Sequence, residues 1–243
     1  MQAIFAPLHE EIKHLHPLLE IDTTVYLGAS RLWHGKIGSH ELCLIRAGLG
    51  EPALAAIATY CFRVFRPTAA LLLGFGGGTL PNIHVGDLIL GKELITADGQ
   101  HRWTTSEAAL RHGNAAATAA ELPLREGIVA IHEQPVSSPH EKAFAGTQYG
   151  AAAASTEGRG FIEAAEYAHV PWLVARAIVD PVEVPLPEGF APLDESGCIA
   201  IGALLRAIAR QPSLIGALSS LHMAANRARD TLTTFAKSWL ATT

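Results

Sequence analysis

The chain has 243 residues, of which 49% are hydrophobic and 17% charged. This composition excludes an intrinsically disordered protein, and the length is enough to bury one sizeable core. The formal charge of -5 gives no basic surface for nucleic acid. Cys43, Cys61 and Cys198 are too scattered for a disulfide framework or a zinc site, so we expect buried thiols in a reducing compartment.

We recognise no membrane span or export signal. The sequence has no run of about 18 apolar residues. Its opening, MQAIFAPLHEE, has acidic residues where a signal peptide needs an apolar stretch. A cytoplasmic location is therefore expected.

The first half of the chain alternates between strand and helix patterns. QAIFAP predicts a strand, and LHEEIKHLHPLL predicts a helix because its apolar residues recur at helical spacing. RLWHGKIGSHELCLIRAGLG predicts a hairpin that turns at Gly38 and Ser39. A helix over PALAAIATYCFRVF follows, and TAALLLGF and VGDLILGKELI then predict two strands on either side of a glycine-rich turn.

The second half continues the alternation. Residues 96–126 are alanine-rich and polar, and we expect helix and surface loop there. GIVAIHEQPV predicts a strand, SPHEKAFAGTQ a helix that begins at Ser138, and AAAAS a short strand. TEGRGFIEAAEYAHV predicts a helix and WLVARAIVD a strand, before a loop over residues 181–198 that is rich in proline and glycine and could cover a site.

Alternating elements with continuously apolar strands predict the α/β class. We expect a single domain with a central, mixed but mainly parallel twisted sheet flanked by helices, over residues 1–198. A C-terminal helical extension packed on it is placed at residues 199–243. Its apolar positions alternate spacings of four and three. They are Leu214, Leu218, Leu221, Ala225, Ala228, Leu232, Phe235 and Trp239.

This apolar stripe has two interpretations. Packing on the domain or on a second subunit is the one we favour. The opposite face is cationic, so peripheral membrane contact through the C-terminal helix stays open.

Polar residues and glycines stand where predicted strands end, which is where ligands of open α/β sheets gather. The places are His9-Glu10-Glu11, Gly74-Phe75-Gly76-Gly77-Gly78, Ser155-Thr156-Glu157-Gly158 and Asp180. The glycine run matches neither common phosphate-loop pattern, and a tight turn explains it equally well. For the glutamates, the alternative is a favourable interaction with a helix N-terminus.

Asp180 is the strongest single candidate. It ends an apolar strand, where poor solvation raises the pKa of a carboxyl group and suits a proton donor. Arg176 lies an even number of residues earlier, on the same strand face. It can form an ion pair with a carboxylate such as Glu157 or hold a substrate hydroxyl. A turn-forming Asp-Pro and a structural ion pair are the alternatives.

Taken as a series, these segments resemble the purine nucleoside phosphorylase and uridine phosphorylase superfamily. Within it they are most similar to the methylthioadenosine/S-adenosylhomocysteine nucleosidases. The matching pieces are HEE, AGLG, LGFGGG with VGD, ASTEG and ARAIVD, in the same order from about residue 2 to residue 181. The continuation AIVDPVEVPLP and the segment QPSLIGAL, within residues 176–230, resemble a hopanoid-biosynthesis subgroup thought to release adenine from adenosylhopane.

The resemblance implies roles for the candidate residues. Asp180 matches the acid that protonates purine N7, Glu157 the carboxylate that holds a ribose hydroxyl, and Glu11 the acid that activates water. Arg176 would orient them. Further substrate contacts are expected from Phe75, Gly76, Gly77, Thr156 and Ser138. Two or more carboxyl groups in such roles suit the cleavage of an N-glycosidic bond.

The sequence also departs from the family pattern. Phe75 stands where the nucleosidases have a serine, and Ser155 and Thr156 replace a segment whose methionine contacts ribose. The ribose contacts must therefore differ. No arginine precedes Gly74, the position of a phosphate-binding arginine in bacterial purine nucleoside phosphorylases, and this counts against phosphorolysis.

These observations predict an enzyme that releases adenine from a nucleoside, by hydrolysis in preference to phosphorolysis. We expect no metal or organic cofactor, with phosphate as the possible co-substrate, and a homodimer. An adenosylhopane-like nucleoside is the first candidate substrate, and methylthioadenosine or S-adenosylhomocysteine is the second. The alternative is a catalytically weak nucleoside-binding or storage protein on the same fold.

Overall fold

The computed structural model describes residues 1–185 and 214–242. A 10-stranded mixed sheet runs through it. The strands are β1 (Gln2–Ala6), β2 (Glu20–Leu27), β3 (Ser30–Ile37), β4 (His40–Arg46), β5 (Ala70–Gly78), β6 (Leu88–Thr96), β7 (Arg102–Thr104), β8 (Leu124–Ile131), β9 (Ala151–Ser155) and β10 (Trp172–Asp180). The α-helices of the described residues are α1 (His9–Ile12), α2 (Glu51–Val64), α3 (Glu107–Ala119), α4 (Pro139–Tyr149), α5 (Arg159–Tyr167) and α6 (Leu214–Ala241).

The sheet curls back on itself at β5. The strand order is β10-β6-β8-β9-β5-β1-β4-β3-β2, with β7 paired to β6, and β10 also pairs with β5. Because β5 pairs with both β9 and β10, strands β5, β10, β6, β8 and β9 close a ring. β1 and β10 both run parallel to β5, so the carboxyl ends of these three strands meet at one edge.

Apolar side chains on the two faces of the sheet form two cores. β1 shows the alternation of a strand, since Ala3 and Phe5 enter one core while Ile4 and Ala6 enter the other. Helices α2 and α5 pack on the first face, and α3 and α6 on the second. The predicted α/β fold with helices on both faces is confirmed.

The N-terminal region differs from its prediction. The helix expected over LHEEIKHLHPLL ends at Ile12 and is followed by a short 3₁₀ helix, His16–Leu18, because Pro17 lacks the amide hydrogen that a continuing helix needs. β2 was not predicted. It is the last strand of the sheet and largely exposed, so it lacks the apolar alternation that marks a buried strand.

Residues 96–126 contain more structure than the helix and loop expected there. The short strand β7 pairs with β6, helix α3 begins at the cap Ser106, and β8 begins at Leu124. Alanine-rich helix α3 buries Gly113, Ala116 and Ala117, whose small side chains give a weak apolar signal.

Helix α6 confirms the predicted stripe over the part whose side chains are described. Ala228, Leu232, Phe235 and Trp239 are buried in the second core, while Leu221 and Ala225 are partly buried. The predicted loop beyond Pro185, the helical segment IGALLRAIAR and the boundary between residues 198 and 199 lie outside the described residues.

Candidate active site

Glu11 lies at the edge where β1 and β5 end. Its side chain is buried, and it accepts a hydrogen bond from the Leu8 amide at 2.7 Å and another from the Phe75 amide at 2.8 Å. Burial raises the pKa of Glu11 to about 8, although both amides and the nearby Arg176 act in the opposite direction. Burial thus favours the protonated form of this carboxyl group in the free protein.

Arg176 crosses the floor of the site. It pairs with Gly74 in the register of β10 and β5, and its side chain is 1% exposed. A Cβ atom on Gly74 would lie 1.8 Å from Arg176 Nη1, so only glycine leaves room for the guanidinium group. Arg176 Nη2 donates to the Glu157 carbonyl oxygen, and the arginine charge lowers the pKa of both Glu11 and Glu157.

Glu157 follows β9, which crosses the end of β5 in the antiparallel sense and brings the chain back toward Gly76. The Thr156 hydroxyl donates to Glu157 Oε2 at 2.7 Å. Burial raises the pKa of Glu157, and the Thr156 hydroxyl and Arg176 oppose that shift. A second, partly buried carboxyl group thus stands near the same arginine.

Asp180 closes β10 beside Gly77. A Cβ atom on Gly77 would lie 3.2 Å from Asp180 Oδ2, so the glycine leaves space for the carboxyl group. Asp180 is buried and forms an ion pair with Lys142 of α4. Burial raises the pKa of Asp180 to about 6, against the lowering effect of the lysine.

The predicted site residues separate into two groups. Arg176 donates to the Glu157 backbone and interacts through its charge with the Glu11 and Glu157 carboxyl groups. Asp180 lies next to Gly77, farther along β5 from Gly74. Gly76 and Gly77 permit close approach of Arg176 and Asp180. Thr156 contacts Glu157 rather than open space.

Phe75 and Ser138 play local structural parts in the described contacts. The backbone amide of Phe75 holds Glu11, while its half-buried side chain packs against the second core. The departure from serine at this position therefore leaves the amide contact intact. Ser138 caps α4 in a reciprocal arrangement with Glu141. Substrate contacts by Phe75 and Ser138 stay predictions.

Sequence reasoning missed Lys142 and Glu51. The Glu51 carboxylate accepts the amides of Gly158, Arg159 and Gly160, and so caps α5 directly after Glu157. Lys142 shares the buried face of α4 with Ala145 and Gly146, three and four residues on. A lysine at helical spacing from two small buried residues was the available signal.

In the described part of the chain, no group of three or more His, Cys, Asp or Glu side chains is placed to hold a metal ion. The polar groups of the candidate site include carboxylate oxygens, backbone amides, the Thr156 hydroxyl, the Arg176 guanidinium group and the Lys142 ammonium group. This arrangement is equipped to move protons and to stabilise positive charge on a bound molecule.

The model of the phosphorylase superfamily matches residues 3–209. The chain belongs to this superfamily. A 5'-methylthioadenosine/S-adenosylhomocysteine nucleosidase from Aeromonas salmonicida (strain A449) is 26% identical over 91 residues. The match spans 37% of this chain and 40% of that relative.

Solved structures show the superfamily fold over nearly the whole chain. Futalosine hydrolase of Helicobacter pylori strain 26695 aligns with a TM-score of 0.77 at 20% identity, covering 99% of this chain and 97% of the other. A 5'-methylthioadenosine/S-adenosylhomocysteine nucleosidase from Neisseria meningitidis, in complex with methylthio-immucillin-A, aligns with a TM-score of 0.74 at 18% identity, covering 98% of each chain.

None of the described helices, α6 included, combines the length and the apolar character that a membrane crossing requires.

Proposed function

We propose that this superfamily member cleaves the N-glycosidic bond of an adenine nucleoside and releases adenine. The observation that carries the proposal is the convergence of Glu11 and Glu157 on the buried Arg176, with Asp180 at the end of the same strand as the arginine. Buried carboxyl groups with raised pKa values, gathered at strand ends, mark a site for proton transfer.

Each group has a step to perform. As the bond from C1′ of the sugar to N9 of the base breaks, the electron pair goes to the base, and Asp180 gives its proton to N7 so that adenine leaves neutral. The sugar carbon becomes positively charged, and the Glu157 carboxylate stabilises it while holding a ribose hydroxyl. Water adds to C1′ and gives its proton to Glu11.

Arg176 is a positioning residue in this scheme. Its guanidinium group lies against Gly74, donates to the Glu157 carbonyl oxygen, and interacts through its charge with both carboxyl groups. A fixed cation there keeps Glu11 and Glu157 from repelling each other when both are ionised.

Water is favoured over phosphate as the nucleophile. The residue before Gly74 is Leu73, which is buried in the second core and cannot bind an anion. The amides of Gly76 to Gly78 are the alternative phosphate contacts, so adenine release must be measured with and without phosphate.

The proposed substrate is an adenine nucleoside, and the identity of its 5′ group is proposed on separate grounds. An adenosylhopane-like nucleoside is our first choice, supported by the resemblance of residues 176–230 to the hopanoid-biosynthesis subgroup. Methylthioadenosine and S-adenosylhomocysteine are the second choice, supported by the nucleosidase relative.

The test is chromatography of the released base. We expect wild-type protein to release adenine from detergent-solubilised adenosylhopane or from methylthioadenosine, at the same rate with and without phosphate. Release only with phosphate would replace hydrolysis by phosphorolysis. Failure to release adenine from any of the three nucleosides, by a folded protein, would remove the enzymatic proposal for these substrates.

A nucleoside-binding protein of low activity is the second candidate. It is favoured by the burial that raises the pKa of Glu11, the proposed base, and by Phe75 in place of serine. Calorimetry distinguishes the two, because tight binding of an adenine nucleoside without release of adenine supports the binding protein.

A further inference from the structure

Lys142 is a buried cation that the proposed reaction does not yet use. It lies on α4, and its side chain is 0% exposed. Lysine is almost never buried completely without a partner, because removing an ammonium group from water is costly. Its position therefore needs an explanation beyond the packing of α4.

The ammonium group is held from three directions. It forms an ion pair with the Asp180 carboxyl group, and it donates to the Val184 carbonyl oxygen at 2.6 Å and to the Pro181 carbonyl oxygen at 3.3 Å. The ammonium group therefore has two carbonyl acceptors and one carboxyl group as its counter-charge. Lys142 thereby fixes the carboxyl group and the backbone that follows β10.

Stability is a weak reason for such a pair. The cost of burying two charges offsets much of their attraction, and well-packed apolar residues often do as well or better. Attachment of residues 181–184 to α4 needs only a neutral donor. The charge of Lys142 is explained if the carboxyl group opposite it must change its own charge during a reaction.

We propose that Lys142 is the positioning counter-ion of Asp180, holding the carboxyl group toward the leaving base and stabilising the carboxylate that remains once the proton has moved to N7. This inference rests on the proposed function. No covalent step is added, since the proton passes from an Asp180 oxygen to the base as the bond to the base breaks.

The surroundings of Asp180 single out Lys142. From β5 the neighbour is Gly77, and from the turn before β6 Asp87 accepts the His84 amide. Arg176, on the same strand, is directed to Glu11 and Glu157. Lys142 lowers the pKa of Asp180, so loss of its charge raises that pKa further.

The experiment compares Lys142→Gln and Lys142→Met with wild type and with Lys92→Gln, an exposed lysine given the same change. Glutamine keeps donors for the two carbonyl oxygens but removes the charge. It also covers the case in which the methionine variant does not fold. Two quantities are measured against pH: the ¹³C shift of the Asp180 carboxyl carbon, assigned with Asp180→Asn, and kcat/KM for adenine release.

We expect the titration of Asp180 to move up by about one to three pH units in both Lys142 variants and to stay in place in Lys92→Gln. The break that Asp180 sets in the kcat/KM profile, at about pH 6 in wild type, should move with it. A residue that only attaches residues 181–184 would lower activity or stability without moving either midpoint.

The outcomes separate the two proposals. Adenine release with an unmoved Asp180 titration in folded Lys142 variants overturns the counter-ion role and leaves the proposed function standing. A shifted carbon titration with an unmoved break in kcat/KM overturns the catalytic part of the inference. Absence of adenine release by wild type overturns the proposed function and this role together, while the carbon titration still reports whether the two charges are coupled.

Discussion

At the residue scale, the pKa values of Asp180 and Glu11 predict the pH profile of the enzyme. Base release requires a proton on Asp180 and none on Glu11, whose pKa values are about 6 and about 8. Below pH 6 Asp180 is protonated, and kcat/KM rises tenfold per unit as Glu11 ionises. Between pH 6 and pH 8 the increase in ionised Glu11 is cancelled by the decrease in protonated Asp180, so kcat/KM is level. Above pH 8 Glu11 is fully ionised, and kcat/KM falls as the protonated fraction of Asp180 decreases.

The measurement is kcat/KM from pH 4.5 to 10, with Asp180→Asn as the control. Since asparagine does not titrate here, residual activity of the variant should rise to about pH 8 and then stay level. If kcat/KM of Asp180→Asn still declines above pH 8, the decline belongs to another group, and this scheme is contradicted.

Gly74 gives a second residue-scale prediction. In Gly74→Ala the new methyl group would overlap Arg176, so the arginine must leave its place near Glu11 and Glu157. We expect a loss of stability of about 1–3 kcal/mol, as for other overpacked sites, and a fall in kcat of at least about tenfold, because a catalytic group moved by about an ångström costs that or more.

Gly216→Ala is the matched control, since a Cβ atom there meets no atom within 4 Å. Urea unfolding and adenine release measure the two effects. Equal kcat in Gly74→Ala and wild type would show that the position of Arg176 is unimportant for the reaction.

At the element scale, helix α6 supports the site from behind. Phe235 is 0% exposed in the second core, and Arg229 of the same helix donates to the backbone and carboxylate of Glu10, next to Glu11. Phe235→Ala should lower the free energy of unfolding by about 3–5 kcal/mol.

Thr234→Ala changes the exposed neighbour of Phe235 and should alter stability by no more than about 0.5 kcal/mol. Urea unfolding of both variants compares them. A loss below about 1 kcal/mol in Phe235→Ala would contradict the packing of α6 on the sheet.

How far the elements were predictable depended on burial. β1 and β10 were placed correctly from their mainly apolar runs, and α4 was placed by its Ser138-Pro139 start. β5 was predicted only as far as Phe75, with a turn after it, but the strand runs on through Gly78 because those glycines pair with β10 and β9. β2 was missed because the strand is mostly exposed, and an exposed strand does not need alternating apolar residues. The contact of Lys142 with Asp180 was missed because it joins residues distant in sequence through the crossing of α4 over the end of β10.

At the scale of the whole molecule, the strand ends predicted that the candidate residues lie at one edge of the sheet, since β1, β5 and β10 run parallel and end together. The closing of the sheet through β9 was not predictable, because the pairing of β9 with β5 involves only glycine and alanine positions with no pattern of their own. This closing brings Glu157 to Arg176.

A homodimer remains our expectation for the assembled protein. Sedimentation equilibrium should give a mass of about twice the 25.8 kDa of one chain. The buried positions of α6 pack within one chain. Trp239→Ala is therefore expected to lower the stability of each subunit and not to remove a contact between subunits. A mass of one chain at micromolar concentration would contradict the expected dimer.

The central claim is that Asp180 protonates a leaving adenine. The most direct test is the rate of adenine release at pH 6.5 by wild type and by Asp180→Asn, with the fold of each checked by circular dichroism, on whichever nucleoside wild type cleaves. Loss of general-acid catalysis predicts a fall of about 10²–10⁴-fold in kcat. A folded Asp180→Asn variant that releases adenine at the wild-type rate would contradict the account.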